Sequence, residues 1–176
     1  MNILKEKVTK VFLTIFLLTL IISCDEGGNP EGGGTTTQNF AGDWHIIALE
    51  SDGVTPVTNY LLYTTYNASS NDENFWIDDH DPNAGFGLKT KVQAKDFNTL
   101  TFSGKPNSEQ IYPTRTVFLR DPTVTITNGK ILKNAAHSFA GHVVDSIYFE
   151  AEFPSEPGII YKFAGHKRTG FLEDEL

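Results

Sequence analysis

Apolar and polar residues alternate along most of the chain after residue 40, which is the pattern of β-strands. In such alternation every second side chain points to the same face of a sheet. Turn-forming pairs such as Asp52-Gly53 and Asp121-Pro122 separate the alternating runs. The pattern predicts short strands with one apolar face each, at residues 44–48, 61–66, 75–77, 88–93, 100–102, 114–119, 124–126, 147–151 and 161–163.

Two local predictions concern residues 123–139. Asn128-Gly129 is typical of a type I′ turn, so we expect a hairpin that joins a strand at 123–127 to one at 130–133. Apolar residues between Ile131 and Phe139 also recur at helical spacing, which allows a short helix. We favour a strand followed by a loop, because the predicted hairpin leads directly into this segment.

The regular succession of short strands predicts an all-β fold, either a closed antiparallel barrel or a sandwich. The barrel is favoured because Gly42-Asp43-Trp44 opens the first strand and Arg168 closes the last. This pairing resembles that of lipocalin-like barrels, in which the guanidinium covers the indole and closes one end. We therefore predict a single antiparallel lipocalin-like β-barrel of about eight strands, closed by Trp44 and Arg168. In the alternative, Trp44 is an ordinary core residue and Arg168 a surface charge.

The N-terminus has the layout of a secretory signal. Lysines in the first ten residues precede an apolar stretch that is too short to span a bilayer, and Ser23-Cys24 follows it. Ser23-Cys24 resembles a bacterial lipobox. We predict a lipoprotein signal peptide at 1–23, a lipid anchor on Cys24, a flexible Gly-rich tether at 24–38 and the barrel domain at 39–176. The predicted location is the bacterial cell envelope, with the outer membrane favoured. An ordinary signal peptide with an incidental cysteine is the alternative.

Composition excludes several functions. The chain has 14 Lys+Arg against 22 Asp+Glu, a net charge of −8, which repels nucleic acid. Its single cysteine excludes an internal disulfide and a cysteine-based zinc site.

No Gly-x-Ser-x-Gly elbow is present, so we predict no catalytic residue and favour a protein that is not an enzyme. Asp78-Asp79-His80-Asp81 could hold a cation, but adjacent residues converge poorly and a turn explains them. No metal or cofactor is predicted.

Several segments resemble one family. The ending Gly165–Glu175, the run Asp145–Phe149 and the run Trp76–Asp79 are similar to those of bacterial lipoproteins described as lipid-binding putative hydrolases. The resemblance spans about residues 40 to 175. It implies an eight-stranded barrel that is exported to the envelope of Gram-negative bacteria, and it carries no catalytic residue over to this chain.

We therefore predict a monomeric barrel that binds a lipid or another hydrophobic small molecule in its interior without turning it over, and that meets the membrane through Cys24. Lys91, Arg115 or Arg120 could pair with a ligand carboxylate. A filled barrel whose surface binds a protein or glycan is the first alternative, and a weak hydrolase is the second. The predicted ligand-contacting wall residues are Ile46, Phe75, Ile77, Phe102, Val124, Ile126, Phe149 and Phe163.

Overall fold

The computed structural model describes Lys7 and residues 33–80, 86–111 and 121–176. Several predictions fall outside the described residues: the signal peptide at 1–23 apart from Lys7, the Cys24 anchor, the tether up to residue 32, Asp81, the strand at 114–119, Arg115 and Arg120. No helix in the described residues is long and apolar enough to cross a membrane. Residues Thr35–Leu176 form one compact unit.

The compact unit is built from β-strands and two short 3₁₀ turns. Residues 33–80, 86–111 and 121–176 contain no α-helix. The strands are β1 Gly42–Leu49, β2 Leu61–Asn67, β3 Asn74–Asp78, β4 Lys89–Asp96, β5 Thr101–Ser103, β6 Ser108–Glu109, β7 Thr123–His137, β8 Val143–Glu152 and β9 Ile160–Lys167, and the 3₁₀ turns are Gln38–Phe40 and Leu172–Asp174.

The sheet closes on itself. Neighbouring strands are antiparallel in the order β5-β4-β3-β2-β1-β9-β8-β7, and β5 also pairs with β7, where Thr101 faces Lys130 and Phe102 faces Gly129. The two-residue β6 pairs with the first part of β7. The predicted all-β fold with a closed eight-stranded antiparallel barrel is therefore confirmed. Closure gives each strand of the ring two neighbours, which limits the free edges that would be open to unwanted pairing.

Aromatic side chains close both ends of the barrel. At one end the turn Gln38–Phe40 places a fully buried Phe40 ring 5.1 Å from the Phe75 ring. At the other end Phe86 packs between Phe153, at 5.1 Å, and Tyr161, at 4.9 Å. The core is therefore continuous from one end of the barrel to the other.

The predicted hairpin at Asn128-Gly129 is wrong. β7 runs through both residues as a single strand of 15 residues, with a register shift between Thr127 and Lys130 and a positive φ of 52° at Asn128. These residues form a β-bulge instead. The glycine is needed because a Cβ at Gly129 would overlap the inward Phe102 ring. The preference for a strand over a helix after residue 130 is confirmed. The loop predicted to follow residue 133 is wrong, because β7 extends to His137.

The folded unit begins earlier than the predicted tether boundary at residue 38. The Thr36 backbone N–H donates to Asn71 Oδ1 at 3.0 Å, and the Thr36 hydroxyl donates to the Asn71 carbonyl at 2.9 Å. Thr37 is buried. Residues 35–38 are therefore held on the barrel by hydrogen bonds and burial.

Candidate ligand-binding site

All eight predicted wall residues lie in the barrel core. Phe102 is 2% exposed and the other seven are fully buried. Their inward orientation follows from the two-residue period, because a strand paired on both sides turns alternate side chains into the barrel. The faces predicted from the alternation are thus the observed ones, while the role of these residues as ligand contacts stays a prediction.

The interior is filled by these side chains. The Phe149 and Phe163 rings stack at 4.7 Å with an interplanar angle of 6°, and the Phe75 and Phe102 rings meet edge to face at 5.3 Å. A side chain with no exposed surface has no water-sized void beside it. A ligand that occupied this part of the interior would have to displace core side chains.

Lys167, rather than Arg168, covers Trp44. Lys167 stands opposite Trp44 in the β1–β9 register, and its Nζ lies 5.9 Å from the indole centroid. Arg168 follows on the opposite phase, and its guanidinium binds Glu175 at 2.6 Å and approaches Asp43 at 3.9 Å. Alternation along β9 puts position 167 on the same face as Trp44. The cation over the indole at this end of the barrel is therefore Lys167, the residue before Arg168. The Trp44 indole N–H donates to Thr65 Oγ1 at 2.8 Å.

Asp78 and Asp79 of the predicted acidic turn belong to a polar network, in which each carboxylate binds different partners. Asp78 is buried, binds Lys89 at 2.7 Å and accepts a hydrogen bond from the Tyr66 hydroxyl at 2.9 Å. The hydrogen bond to Asp78 raises the pKa of Lys89. Asp79 accepts from the Leu88 backbone N–H at 2.7 Å. Within the described residues no three His, Cys, Asp or Glu side chains are placed to hold a metal ion.

A hydroxyl–imidazole pair adjoins this network. His80 Nε2 lies 2.6 Å from Thr64 Oγ1, and the Thr64 hydroxyl donates to Asp43 Oδ1 at 2.8 Å. His80 Nδ1 is 3.9 Å from the buried carboxylate of Asp78. His80 has a positive φ of 56°, a conformation that non-glycine residues seldom adopt outside turns and functional sites.

A buried histidine pair lies on the outer face of the barrel. His45 on β1 stands opposite His166 on β9, and their rings are 5.4 Å apart. Phe139 stacks on His45 at 5.2 Å and seals the pair from solvent. Burial lowers the pKa of His45, and the neighbouring His166 lowers it further. Neither His45 Nδ1 nor His166 Nε2 has a hydrogen-bond partner in the described part of the chain.

Open volume is found on the outside of the barrel. A groove of about 510 Å³ runs along the outer face of β3 and β4 and under the connection between β5 and β6. Trp76 and Lys91 stand opposite each other in its floor, with the Lys91 Nζ 4.8 Å from the indole centroid. Lys105 and Ile111 complete its rim.

Sequence reasoning named Lys91 as a possible carboxylate partner but missed the groove around it. One signal was available: in the alternating run of β3, Trp76 is a large aromatic residue on the outward phase. The Trp76 ring is half-buried, with the Lys91 ammonium over its face.

The described residues form a closed β-barrel with a packed core of apolar side chains and a groove of about 510 Å³ in its outer wall. The chain belongs to the lipid-binding putative hydrolase family, whose profile matches residues 29–172. Membership of this family and the barrel fold both fit a lipid-binding role. No curated protein matches the chain.

Proposed function

We propose that this protein is a monomeric, lipid-anchored protein of the bacterial cell envelope, whose barrel binds a lipid or a similar hydrophobic small molecule without turning it over. The family match over residues 29–172 carries this proposal. The closed barrel supports it, because eight-stranded barrels are a common scaffold for single small ligands.

The filled interior directs the ligand to the barrel wall. Opening the stacked Phe149–Phe163 pair for a ligand would sacrifice core packing that typically stabilises by several kcal/mol per aromatic residue. A groove that already exists costs no such rearrangement. The barrel therefore acts as a rigid support for an external site.

The binding proposal is tested by titrating the full chain with a panel of fatty acids, phospholipids and neutral detergents, followed by calorimetry. We expect saturable binding of at least one class at micromolar concentration. A complete lack of binding across the panel would overturn the proposal and favour the alternative, a surface that binds a protein or glycan.

The anchor is tested separately. Cys24→Ala removes the only thiol of the chain. We expect the variant to move from the membrane fraction to the soluble fraction after cell lysis, because triacylated cysteines anchor stably and unlipidated domains do not. A variant that stays membrane-bound to the same extent would show that Cys24 is not the anchor.

Ester hydrolysis is a second candidate function, and the 2.6 Å contact between Thr64 Oγ1 and His80 Nε2 favours it. The Thr64 hydroxyl donates to Asp43 Oδ1 at 2.8 Å, so its O–H would first rotate toward His80 Nε2, which would then accept the proton. Thr64 Oγ1 would then bond to the acyl carbon, the ester C–O bond would break, and His80 would return the proton to the leaving alcohol. Water, deprotonated by His80, would release the acid and restore Thr64.

The hydrolase candidate is tested with a panel of p-nitrophenyl esters. His80→Gln and Thr64→Val should each abolish any measured turnover, whereas His137→Gln, at an exposed position, should leave it unchanged. Turnover that survives both substitutions would exclude this pair as its origin.

A further inference from the structure

We propose that the groove along β3 and β4 binds the anionic headgroup, carboxylate or phosphate, of a single-chain amphiphile. This inference rests on the proposed lipid-binding function and places its site. Four observations carry it: a break in the barrel wall, two cations without carboxylate partners, an apolar lining beside them, and a volume of ligand size.

The groove exists because the wall splits. On the β5 side of β4, Gln93 stands opposite Ser103, and Thr90 stands opposite Gln110. Two residues of β4, Lys91 and Val92, thus face six residues, 104–109, of the other chain segment. The longer segment bows away from β4 and bonds to β7 instead, where the Gly104 N–H donates to the Ile126 carbonyl at 2.9 Å.

The charge of the groove opposes that of the protein. Lys91 and Lys105 line it against one carboxylate, Glu109, while the whole chain has a net charge of −8. In the described part of the chain, Lys89, Lys133 and Lys167 form ion pairs with carboxylates, and Lys91 and Lys105 form none. An anion bound between the two ammonium groups would gain charge-assisted hydrogen bonds that the protein itself does not supply.

Apolar surface adjoins these charges. The Trp76 indole, Pro106 and Ile111 line the same groove. Ile111 is 48% exposed, although it is a large apolar side chain. A ligand that joins a headgroup to a hydrocarbon chain satisfies both parts of the lining. The volume of about 510 Å³ falls in the range of small-molecule sites, about 300–1,000 Å³.

The two tryptophans of the chain allow a direct test of this placement. Trp76 lines the groove, and Trp44 is buried at one end of the interior. The full chain with Cys24→Ala is titrated with a doxyl-labelled fatty acid, whose nitroxide quenches nearby tryptophan emission. We expect quenching in the Trp44→Phe variant, which reports on Trp76, and little in the Trp76→Phe variant, which reports on Trp44.

Quenching of Trp44 in place of Trp76 would overturn the groove and place the ligand in the barrel interior, leaving the lipid-binding function intact. Binding measured by calorimetry with quenching of neither tryptophan would overturn the groove too. No binding by calorimetry would overturn the lipid-binding function itself. The three outcomes are therefore distinguishable.

The headgroup is tested with dodecanoate, dodecyl phosphate, dodecyl maltoside, acetate and inorganic phosphate. We expect the two anionic amphiphiles to bind, and the neutral detergent and the small anions to bind at least about tenfold more weakly. Lys91→Gln and Lys105→Gln should each weaken dodecanoate about tenfold. Equal binding of inorganic phosphate and dodecyl phosphate would identify a free-anion site, and equal binding of the maltoside would remove the role of charge.

A matched control is present on the same barrel. Lys130 Nζ lies 5.4 Å from the Tyr148 ring centroid, in a second outer groove that also contains Glu150. Lys130→Gln removes the same kind of lysine–aromatic pair from a groove that has no surplus of positive charge. We expect this variant to bind dodecanoate like the parent chain. A loss equal to that of Lys91→Gln would show a general charge effect and overturn the site.

Discussion

Phe149→Ala tests how well the barrel interior is packed. Phe149 is fully buried, stacks on Phe163 at 4.7 Å and lies 6.3 Å from the Phe102 ring. Phe163 sits on β9, which pairs with β1 and β8 without a register shift, so its ring cannot move in to fill the space that Phe149 leaves. Truncating a buried phenylalanine typically costs about 3–5 kcal/mol, and the rigid surroundings place this site in the upper half of that range.

The assay is urea unfolding of the full chain at 25 °C, followed by tryptophan emission and far-UV circular dichroism. Phe171→Ala is the control, because Phe171 is 55% exposed and its loss should change the free energy of unfolding by less than about 0.5 kcal/mol. A cost below about 1.5 kcal/mol for Phe149→Ala, with an unchanged denaturant slope, would refute a filled interior.

Two further predictions concern β1 and β9. The lowered pKa of His45 means that the folded state disfavours its proton, so the stability from neutral His45 is complete above pH 6.5 and declines as the pH falls below it. Urea unfolding at several pH values should show this decline in the free energy of unfolding. The decline should be smaller in His45→Phe and unchanged in His137→Gln. An equal dependence of stability on pH in all three proteins would contradict the prediction. Gly165→Ala should destabilise by at least about 2 kcal/mol, because its Cβ would overlap the backbone carbonyl of His45; an unchanged midpoint would contradict the close strand approach.

The inward and outward faces of the strands could be predicted well, because they depend only on the alternation of neighbouring residues. A period of two assigns each side chain to a face. The succession of strands allowed a barrel or a sandwich, and the pairing of Gly42-Asp43-Trp44 with Arg168 favoured the barrel. The same rule, applied to β9, places Phe163, Gly165 and Lys167 inward, and it would have selected Lys167 as the cation over Trp44. The motif predicts Arg168 over Trp44, whereas the alternation of β9 selects Lys167.

The groove could not be predicted in the same way. It depends on a mismatch between two residues of β4 and six residues of the facing segment, and strand register is a property of pairs of segments. Asn128-Gly129 shows the same limit. Asn128 has the positive φ that is typical of a turn. The pair nevertheless forms a bulge within a long strand, where Gly129 faces the Phe102 ring.

The position of β9 between β1 and β8 has a consequence for the order in which the chain folds. β1 finds one of its two partners only in residues 162–167, near the end of the chain. Until β9 emerges, β1 and β8 both present open edges, and the ring cannot close. Contacts between such distant segments form slowly. A chain that is exported as we propose would therefore stay unfolded enough for translocation until its last strand has been made, and would gain its protection from aggregation only after arriving in the envelope.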